Sequence, residues 1–475
     1  MASSGSSNLP MKEVPGSYGL PVVGAQKDNL DFLHLQGEVE FFKSRVARYN
    51  STVFKVNFIP GNPAFPDPRG IALLDQSSFP VLLDSSKVDK TNVFTGSYKA
   101  SDDFTGGYRV LSYLDTTDPK HATLKNFAFE VLKRNGRKFL PEFQSAFHAA
   151  FDAAESELSS GKNKADMAPL LNQLAFQFLA KSIVNVDPLT TMLADQGPTH
   201  LLRWIGIQFA PVAPGNSTPL PGFAEDVVIR TAPLPFLLVK ADYDKLCEFF
   251  QLAAEMLDMG EKEFGLSREE AVHQLLFLVG MNSWFGFSAR VLPNLLYRVG
   301  TLGAEFQKRL GDEIRAAIDV GDPAGSFYGA LEKMPLLKST VLEVFRFDPP
   351  VLYQYGRPRE DMVVESHDAK FVIKKGQLLG GSQALVCRDP KVFEEPDQLI
   401  PDRFVGKEEL QANVFWSNGR NTKSPTADDK QCAGKNFVET IARFYLVQLF
   451  ARYKTFELSE DSTLNTPFLK PFARN

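Results

Sequence analysis

The chain has 475 residues, 44% of them hydrophobic, with 52 basic against 57 acidic side chains and a net charge of −5. A chain of this size can bury a large core, and the lack of a basic excess argues against a nucleic-acid partner. Its three cysteines, Cys247, Cys387 and Cys432, are widely spaced, which argues against a disulfide framework and favours a reducing compartment.

The N-terminal residues 1–9 are polar and rich in serine, which predicts a disordered segment. They contain no apolar stretch of the kind found in secretory signals and no clear transit peptide, so we expect a cytoplasmic or plastid-associated protein. No run of about 18 apolar residues occurs in the chain, so we expect at most peripheral membrane association. Residues 10–475 are predicted to form a single domain.

Helical and strand-like patterns follow one another along the chain. Residues 37–49 have the apolar spacing of a helix, and 53–58 with 70–74 read as a β-hairpin around a Pro/Gly-rich turn. Further helices are predicted at 118–135, 140–160, 166–185, 198–209 and 238–264, and a smaller β portion at 362–364, 370–373 and 377–379. The predicted fold class is mainly α with a minor β portion.

The most distinct predicted element begins at Ser267, where Ser267 and Glu270 have the spacing of a capping box. The apolar run that follows predicts a helix to about Gly300, roughly 50 Å long at ~1.5 Å per residue, with a late kink at Pro293. A helix so long and apolar must cross the interior. Asn282 lies in its middle and either bonds a neighbouring backbone or points into a pocket.

A charged pair lies on the helix predicted for residues 339–347. Glu343 and Arg346 are one turn apart on one face, and their neighbours are apolar. We therefore expect the pair to be partly buried. Because a buried arginine needs several acceptors, the pair predicts a larger network, to which Arg403 could contribute.

A loop rich in Gly, Asn, Pro and Ser ends at Cys432 and runs directly into a helical pattern. The backbone N–H groups and the positive dipole end of a helix favour a thiolate beside them. Such a thiolate is a nucleophile, a redox centre or a metal ligand. The alternative is a small buried structural residue, and the local pattern leaves these readings open.

The order of three motifs resembles the cytochrome P450 superfamily: Glu343-x-x-Arg346, a Pro-Asp-Arg-Phe motif at 401–404, and Cys432-x-Gly before a helix. The resemblance implies the cytochrome P450 fold, with haem b between the long central helix and the cysteine loop. It implies that Cys432 is the thiolate ligand of the iron. It also implies that Glu343, Arg346 and Arg403 form a structural network behind the haem.

Two departures from the pattern of ordinary monooxygenases restrict the resemblance to one branch of the superfamily. An extra stretch, 421–429, precedes Cys432, and the central helix lacks the acid–threonine pair with which monooxygenases deliver protons to dioxygen. Both features, with stretches at 14–21 and 40–45, resemble the plant fatty-acid hydroperoxide-metabolising branch of allene oxide synthases, hydroperoxide lyases and divinyl ether synthases. These enzymes use a hydroperoxide as both oxidant and substrate, which implies that neither O₂, NADPH nor a reductase is needed.

The resemblance also implies roles for individual residues. Asn282 corresponds to the central-helix asparagine that contacts the hydroperoxide and promotes O–O homolysis. Lys90, His121 and Lys125 match positions that contact the haem propionates, and Lys430 stands where relatives carry a propionate-binding basic residue. His121 and Lys125 are four residues apart and so share one helix face, which is an independent reason to expect them to act together.

Phe94 bears on the product. Its segment, 92–96, resembles the synthase pattern, whereas lyases typically carry Leu at this place. An aromatic face stabilises a carbon centre as it becomes a cation, and loss of a proton then gives an allene oxide. The resemblance therefore implies dehydration of linolenic- or linoleic-type hydroperoxides in oxylipin, jasmonate-type biosynthesis. The alternative reading of Phe94 is core filling.

Other readings stay open at this point. A hydroperoxide lyase, a divinyl ether synthase or an epoxyalcohol synthase would carry much the same motifs. A non-catalytic haem or lipid carrier and an ordinary monooxygenase are the more distant alternatives. Two bulky features depart from the synthase pattern: Phe285 after the central tryptophan, which could narrow or reshape the pocket, and the pair Leu352-Tyr353. Either could alter the preference for 9- or 13-hydroperoxides or shift the product partition.

Overall fold

The computed structural model describes residues 8–215 and 220–470. Its α-helices are α1 Val23–Leu30, α2 Gly37–Tyr49, α3 Pro119–Ser159, α4 Met167–Val184, α5 Gly197–Phe209, α6 Gly222–Ile229, α7 Lys240–Phe250, α8 Ala254–Phe264, α9 Arg268–Met281, α10 Leu292–Thr301, α11 Gly303–Ala317, α12 Pro323–Ala330, α13 Pro335–Phe347, α14 Gln383–Val386 and α15 Lys435–Arg452. The strands are β1 Met11–Lys12, β2 Val53–Asn57, β3 Arg69–Leu73, β4 Val88–Asp89, β5 Ala165–Asp166, β6 Tyr353–Pro358, β7 Met362–Glu365, β8 Lys370–Ile373, β9 Leu378–Ser382 and β10 Phe468–Leu469. The prediction of a mainly α fold with a minor β portion is confirmed.

The strands of the described chain form small sheets. The largest has the order β2-β3-β9-β6-β4. The predicted hairpin is its first pair, antiparallel with Val53 opposite Leu73, and β9 joins β3 in parallel. Strand β1 pairs in parallel with β8, with Met11 opposite Lys370, so the chain is tied to this β portion soon after the first described residues.

The central helix begins as predicted but is not a regular α-helix throughout. The Ser267 hydroxyl accepts from the Glu270 N–H at 3.0 Å, whereas the Glu270 carboxylate binds Lys120 at 2.8 Å and does not reach back to complete a capping box. Between α9 and α10 the chain forms a wider π-helical stretch, Asn282–Val291, here called the π segment. The departure from α geometry thus begins well before Pro293, and π turns occur frequently at functional sites.

The continuous helical run Arg268–Thr301 is long and apolar enough to cross a membrane, yet 61% of its most apolar window is buried inside the protein. It belongs to a core that also includes the fully buried Trp204, Phe143 and Tyr445. Burial of this apolar surface is the main stabilising contribution to such a fold.

Two predicted helix boundaries are wrong. Segments 118–135 and 140–160 form the single helix α3, which continues through Pro141. Proline usually interrupts a helix, but buried apolar side chains on both sides of Pro141 favour continuation. Segment 238–264 divides into α7 and α8, because a turn closed by the Leu252 N–H on the Phe249 carbonyl intervenes without any Gly or Pro.

The predicted disordered segment 1–9 falls mostly on residues 1–7, which lie outside the described residues. The assignment of residues 10–475 to a single domain stays a prediction.

Candidate active site

A cavity of about 250 Å³ lies between α3, α9, the π segment, the start of α15 and the loop before it. Six side chains singled out from the sequence line it: Phe94, His121, Lys125, Asn282, Lys430 and Cys432. They come from four separate parts of the chain. The seventh, Lys90, is buried nearby and lies within electrostatic range of Lys430.

Cys432 is held three residues before α15, with its N–H donating to the Ser417 carbonyl at 2.8 Å. Burial raises the pKa of its thiol, while the Gly434 N–H and the Lys125 charge act in the opposite direction without overcoming it. The helix start does favour the thiolate, but its effect on the pKa is smaller than the opposite effect of burial. A metal cation would reverse the balance, because coordination deprotonates a thiol outright.

Glu343, Arg346 and Arg403, here called the Glu343 cluster, form the predicted network. The Glu343 carboxylate accepts from Arg346 at 2.7 and 2.9 Å and from Arg403 at 3.0 and 3.1 Å. Both guanidinium groups also donate to backbone carbonyls, including that of Gln398. Glu343 and Arg346 are fully buried, whereas the sequence predicted only partial burial.

Four basic side chains lie together and are here called the basic cluster: Lys90, His121 and Lys125 are buried, and Lys430 is partly buried. Burial and the neighbouring Lys430 charge lower the pKa of Lys90 to about 7. Burial and the Lys125 charge lower the pKa of Lys430 to about 7. Burial, followed by the charges of Lys430 and Lys125, lowers the pKa of His121 to about 4. These mutual repulsions mean that the cluster holds more positive charge than its surroundings neutralise.

The hydrogen bonds of the basic cluster also indicate that its positive charge is not fully neutralised. The Lys430 ammonium donates to the Leu111 and Leu114 carbonyls at 3.0 and 2.7 Å, which are neutral acceptors. The ring nitrogens of His121 are buried without a hydrogen-bond partner of normal geometry among the described residues, although the Ala427 backbone acts to raise its pKa. Buried polar atoms in this condition are commonly satisfied by a ligand or water.

Two carboxylates beside this cluster were not predicted from the sequence. Asp429, at the end of the inserted loop, binds the Lys125 ammonium at 3.1 Å. Burial alone would raise the pKa of Asp115, but hydrogen bonds from Arg359 and from the Lys90 backbone N–H help lower it to about 2. Asp115 is bound by Arg359 at 2.6 Å, so its charge is already shared. The insertion before Cys432 was the sequence signal for Asp429, and Asp115 ends a stretch, 112–115, that also resembles the plant branch.

Asn282 is the first residue of the π segment. Its Nδ2 donates to the Leu278 carbonyl at 2.6 Å, so the amide nitrogen is hydrogen-bonded within its own helix. Its Oδ1 makes no hydrogen bond among the described residues, and a Cβ placed on Gly286 would lie 3.4 Å from this oxygen. Glycine at 286 thus keeps the amide oxygen accessible from the cavity.

Phe94 lies on the cavity wall and keeps 38% of its surface exposed, which does not fit core filling. Its ring meets Tyr113 at 5.9 Å and Phe209 at 6.3 Å, both edge to face. Phe209 in turn meets Phe285 at 5.9 Å. Phe285 also lines the cavity, so this departure from the synthase pattern does alter the pocket wall.

The pair Leu352-Tyr353 does not line the cavity; the preceding Pro350 and Val351 do. The Tyr353 ring lies instead 6.3 Å from Phe32 and 6.4 Å from Phe42. The strand directs Tyr353 into this separate aromatic group, and an effect of the pair on regiospecificity or product partition stays a prediction.

The residues at this site fit a haem. The cavity walls are mostly apolar, a cysteine sulfur lies on them, and the basic cluster calls for anionic partners at one part of the cavity. The two propionates of haem would supply those anions, and a thiolate is a known haem ligand. Among the described residues there is no group of three or more His, Cys, Asp or Glu side chains that could hold a bare metal ion.

Comparisons with known proteins agree with this geometry. The family model for cytochrome P450 matches residues 302–473. The chain is 46% identical to a divinyl ether synthase of Selaginella moellendorffii, over 96% of this chain and 93% of that protein. It is 45% identical to the chloroplastic allene oxide synthase of Arabidopsis thaliana, over 96% of this chain and 87% of that protein.

Two further comparisons concern a curated relative and a solved structure. Allene oxide synthase 2 of Oryza sativa subsp. japonica is 45% identical over 94% of both chains. A retinoic acid-bound cyanobacterial cytochrome P450 superposes with a TM-score of 0.69, covering 98% of this chain and 100% of that one at 15% identity. The second likeness establishes the fold alone. Together these findings show that the chain belongs to the cytochrome P450 family, in its plant fatty-acid hydroperoxide-metabolising branch.

Proposed function

We propose that this chain is an allene oxide synthase, a haem-thiolate hydroperoxide dehydratase that converts polyunsaturated fatty-acid hydroperoxides to allene oxides without O₂ or NADPH. The observation that carries the proposal is the placement of the Asn282 amide and the Phe94 ring on the wall of the cavity that Cys432 also lines. Several relatives named allene oxide synthase, at 42–45% identity over most of the chain, support it.

In this proposal Cys432 ligates the haem iron and the basic cluster binds the propionates. When bound, the haem supplies the electron that cleaves the O–O bond of the hydroperoxide. The Asn282 Oδ1 accepts a hydrogen bond from the hydroperoxide O–H, and the Leu278 carbonyl holds the amide in the orientation that presents this oxygen. Because a fixed polar group needs no reorganisation during the reaction, it aligns the bond to be broken.

Phe94 is proposed to act on the substrate after O–O cleavage. Its ring is fixed by edge-to-face contacts with Tyr113 and Phe209, and its exposed surface is available to the acyl chain. An aromatic face stabilises a carbon centre that becomes positively charged. Loss of a proton from the substrate then gives the allene oxide, while the apolar walls exclude water that would divert the cation.

The central helix supports a reaction without a reductase. Residues 275–290 contain no Asp, Glu or Thr, so this stretch offers no acid–alcohol pair to deliver protons to dioxygen. A hydroperoxide already contains the reduced O–O unit that such a relay would have to make. An organic hydroperoxide is therefore the better-matched oxidant.

A divinyl ether synthase is the second candidate, because a relative of that name is 46% identical to this chain. Phe285 also stands on the cavity wall beside Phe209, where it changes the space open to the substrate. The two candidates share the O–O cleavage step and differ in the product.

The deciding experiment is a product profile with the 9- and 13-hydroperoxides of linolenic acid, side by side and without NADPH. Ketols and a cyclopentenone, the breakdown products of an allene oxide, are expected. Divinyl ethers would favour the second candidate, and short aldehydes would indicate a lyase. A requirement for NADPH and a reductase would overturn both candidates.

Two variants test the roles of individual residues. Asn282→Ala should lower kcat/KM about a hundred-fold, as expected when one oriented polar contact is lost, with unchanged haem content. Phe94→Leu should shift products toward chain cleavage. Phe306→Leu, on α11 and outside the cavity lining, is the control. Wild-type turnover in Asn282→Ala would make that residue structural, and unchanged products in Phe94→Leu would remove its assigned role.

We also propose peripheral membrane association and a cytoplasmic or plastid-associated location. Leu20, Leu35 and Leu237 are exposed, the last by 80%, and a 2.7 Å pair between His34 and Asp226 joins two of the segments that carry exposed apolar residues. Several relatives are named chloroplastic. Cosedimentation with phosphatidylcholine vesicles tests the membrane association and should be lost in Leu237→Ser; a wild-type protein that stays free of vesicles would contradict the association. Fractionation of plant cells tests the location.

A further inference from the structure

Behind one wall of the cavity, aromatic side chains form a continuous row that leads away from it. Phe277 lines the cavity, and the Trp204 ring lies 6.3 Å from the Phe277 ring. Trp204 also packs on the central helix, since a Cβ at Gly280 would lie 3.3 Å from its ring. Its indole N–H donates to the Phe104 carbonyl at 2.9 Å. Trp204 is fully buried, a single layer of side chains behind the cavity.

The row continues through a tyrosine and a histidine. The Tyr243 ring lies 5.5 Å from Trp204, and the Tyr243 hydroxyl lies 2.7 Å from Nδ1 of His273. His273 stacks with Tyr243, with only 7° between the rings, and also with Tyr108, whose ring lies 5.6 Å from it. The Tyr108 hydroxyl donates to the exposed Glu269 at 3.2 Å, which brings the row to the protein surface.

The Tyr243–His273 pair has chemistry that simple core packing does not need. Burial raises the pKa of Tyr243 well above its usual range, so it stays a neutral phenol. Burial also lowers the pKa of His273, which keeps the imidazole neutral at pH 7 with a ring nitrogen able to accept a proton. A phenol gives up an electron more readily when its proton can move at the same time along a short hydrogen bond. Two phenylalanines would fill the same space without this property.

We propose that Trp204, Tyr243, His273 and Tyr108 form a relay that returns an electron to the haem when a peroxide has oxidised it and no substrate radical reduces it. This relay rests on the haem proposed at Cys432 and not on the identity of the fatty-acid product. Its function is protective, because an unreduced oxidising haem would otherwise attack side chains of its own pocket.

The electrons and protons balance as follows. An organic hydroperoxide or peracid is the oxidant; its O–O bond breaks and it is reduced. Trp204 passes one electron to the oxidised haem and regains one from Tyr243, whose O–H bond breaks as the proton bonds to Nδ1 of His273. Tyr108 re-reduces Tyr243 and transfers its own proton to Glu269, while the proton on His273 returns. A reductant of the thiol or ascorbate class in solvent then restores Tyr108 with one electron, and Glu269 returns the proton. Because full reduction of the oxidant takes two electrons and two protons, the relay completes this cycle twice for each molecule of oxidant, and solvent supplies the two protons.

The first test is electron paramagnetic resonance on the haem-loaded full chain, frozen shortly after mixing with peracetic acid. This oxidant acts on the haem whether or not the protein turns over fatty-acid hydroperoxides. A tyrosyl radical is expected in the wild type and should fall several-fold in Tyr243→Phe, which keeps the ring and removes only the hydroxyl. Tyr445→Phe is the control: Tyr445 is also buried, its hydroxyl has no hydrogen-bond partner in the part of the chain that the structure describes, and it lies outside the row.

The second test counts the equivalents of peracetic acid that the protein survives before its Soret absorbance is lost. Tyr243→Phe and Trp204→Phe should survive several-fold fewer equivalents, with unchanged initial haem oxidation, and Tyr445→Phe should match the wild type. A purely structural role for Tyr243 predicts unchanged survival, because phenylalanine keeps the packing. Absence of a protein radical in the wild type, or an undiminished signal in Tyr243→Phe, would overturn the relay, whereas a different fatty-acid product would overturn only the proposed synthase.

Discussion

The Glu343 cluster and the basic cluster are both buried groups of charged side chains, but they differ in how their charge is balanced. In the first, one carboxylate lies between two guanidinium groups, whose remaining N–H groups bind backbone carbonyls. In the second, lysine ammonium groups and a histidine repel one another, and the nearby carboxylates are partly shared with other cations.

This difference separates a structural role from a binding role. A buried ionic group whose members are all hydrogen-bonded needs nothing further, and removing one member exposes the cost of burying the others. Burying a group with excess charge raises the free energy of the folded protein until a counter-ion binds. The presence of such a group is therefore best explained by a ligand of opposite charge. We therefore infer that the Glu343 cluster stabilises the fold, and the proposed function gives the basic cluster the role of binding an anionic cofactor.

The largest expected effect is in the Glu343 cluster. Glu343→Gln removes the negative charge between two buried guanidinium groups and should lower the free energy of unfolding by about 3–5 kcal/mol. Urea denaturation and the yield of haem-loaded protein measure the effect. Asp402→Asn is the control, because Asp402 pairs with Arg309 at an exposed site and should cost at most about 1 kcal/mol. Equal losses in the two variants would contradict the comparison.

A smaller effect is expected in the basic cluster. Lys430→Met removes one cation that would bind a propionate, and should weaken haem binding by about 2 kcal/mol, the value of one hydrogen bond to a charged group, or roughly thirty-fold. The haem-free protein should be no less stable than the wild type, because the Lys90–Lys430 repulsion is relieved. Haem transfer to an acceptor protein and urea denaturation separate the two quantities; a large loss of haem-free stability would mean that Lys430 is structural.

The third expected effect is a pH dependence at Lys90. Its pKa of about 7 in the folded protein lies below the ordinary value of 10.5, so between these pH values the unfolded chain binds more protons. The stability of the haem-free protein should therefore rise from pH 7 toward pH 10 through this group. Denaturation across this range should show a shallower rise in Lys90→Met, and also in haem-loaded protein, where a propionate keeps Lys90 charged. If the stability of the wild type and of Lys90→Met rises equally steeply with pH, Lys90 does not titrate as part of the basic cluster.

Patterns set by near neighbours were predicted well. The helix at residues 37–49 matches α2 in both ends, and the hairpin register follows from alternating strands around a turn. The Ser267 cap was also predicted, because its partner lies three residues along the same helix. In each case one short stretch contains both partners, so local propensity decides the outcome.

Patterns that depend on distant segments were predicted less well. Local propensity predicted a break near Pro141, but buried apolar side chains on both sides keep α3 continuous. The helix start at Cys432 predicted a thiolate, but burial raises the pKa of the thiol. Asp429 gave no signal of its own, because its partner Lys125 lies on α3, far away in the chain.

The sequence by itself determined the family, the mainly α fold and a set of candidate site residues, because ordered motifs and periodic apolar positions are properties of the chain alone. Only the tertiary structure decided that Phe94 and Asn282 line the cavity that Cys432 also lines, that the Asn282 oxygen is left accessible, and that four basic residues, three of them buried and one partly buried, lie together with too few anions. Burial and electrostatic balance depend on which segments meet, and distance along the chain does not specify this.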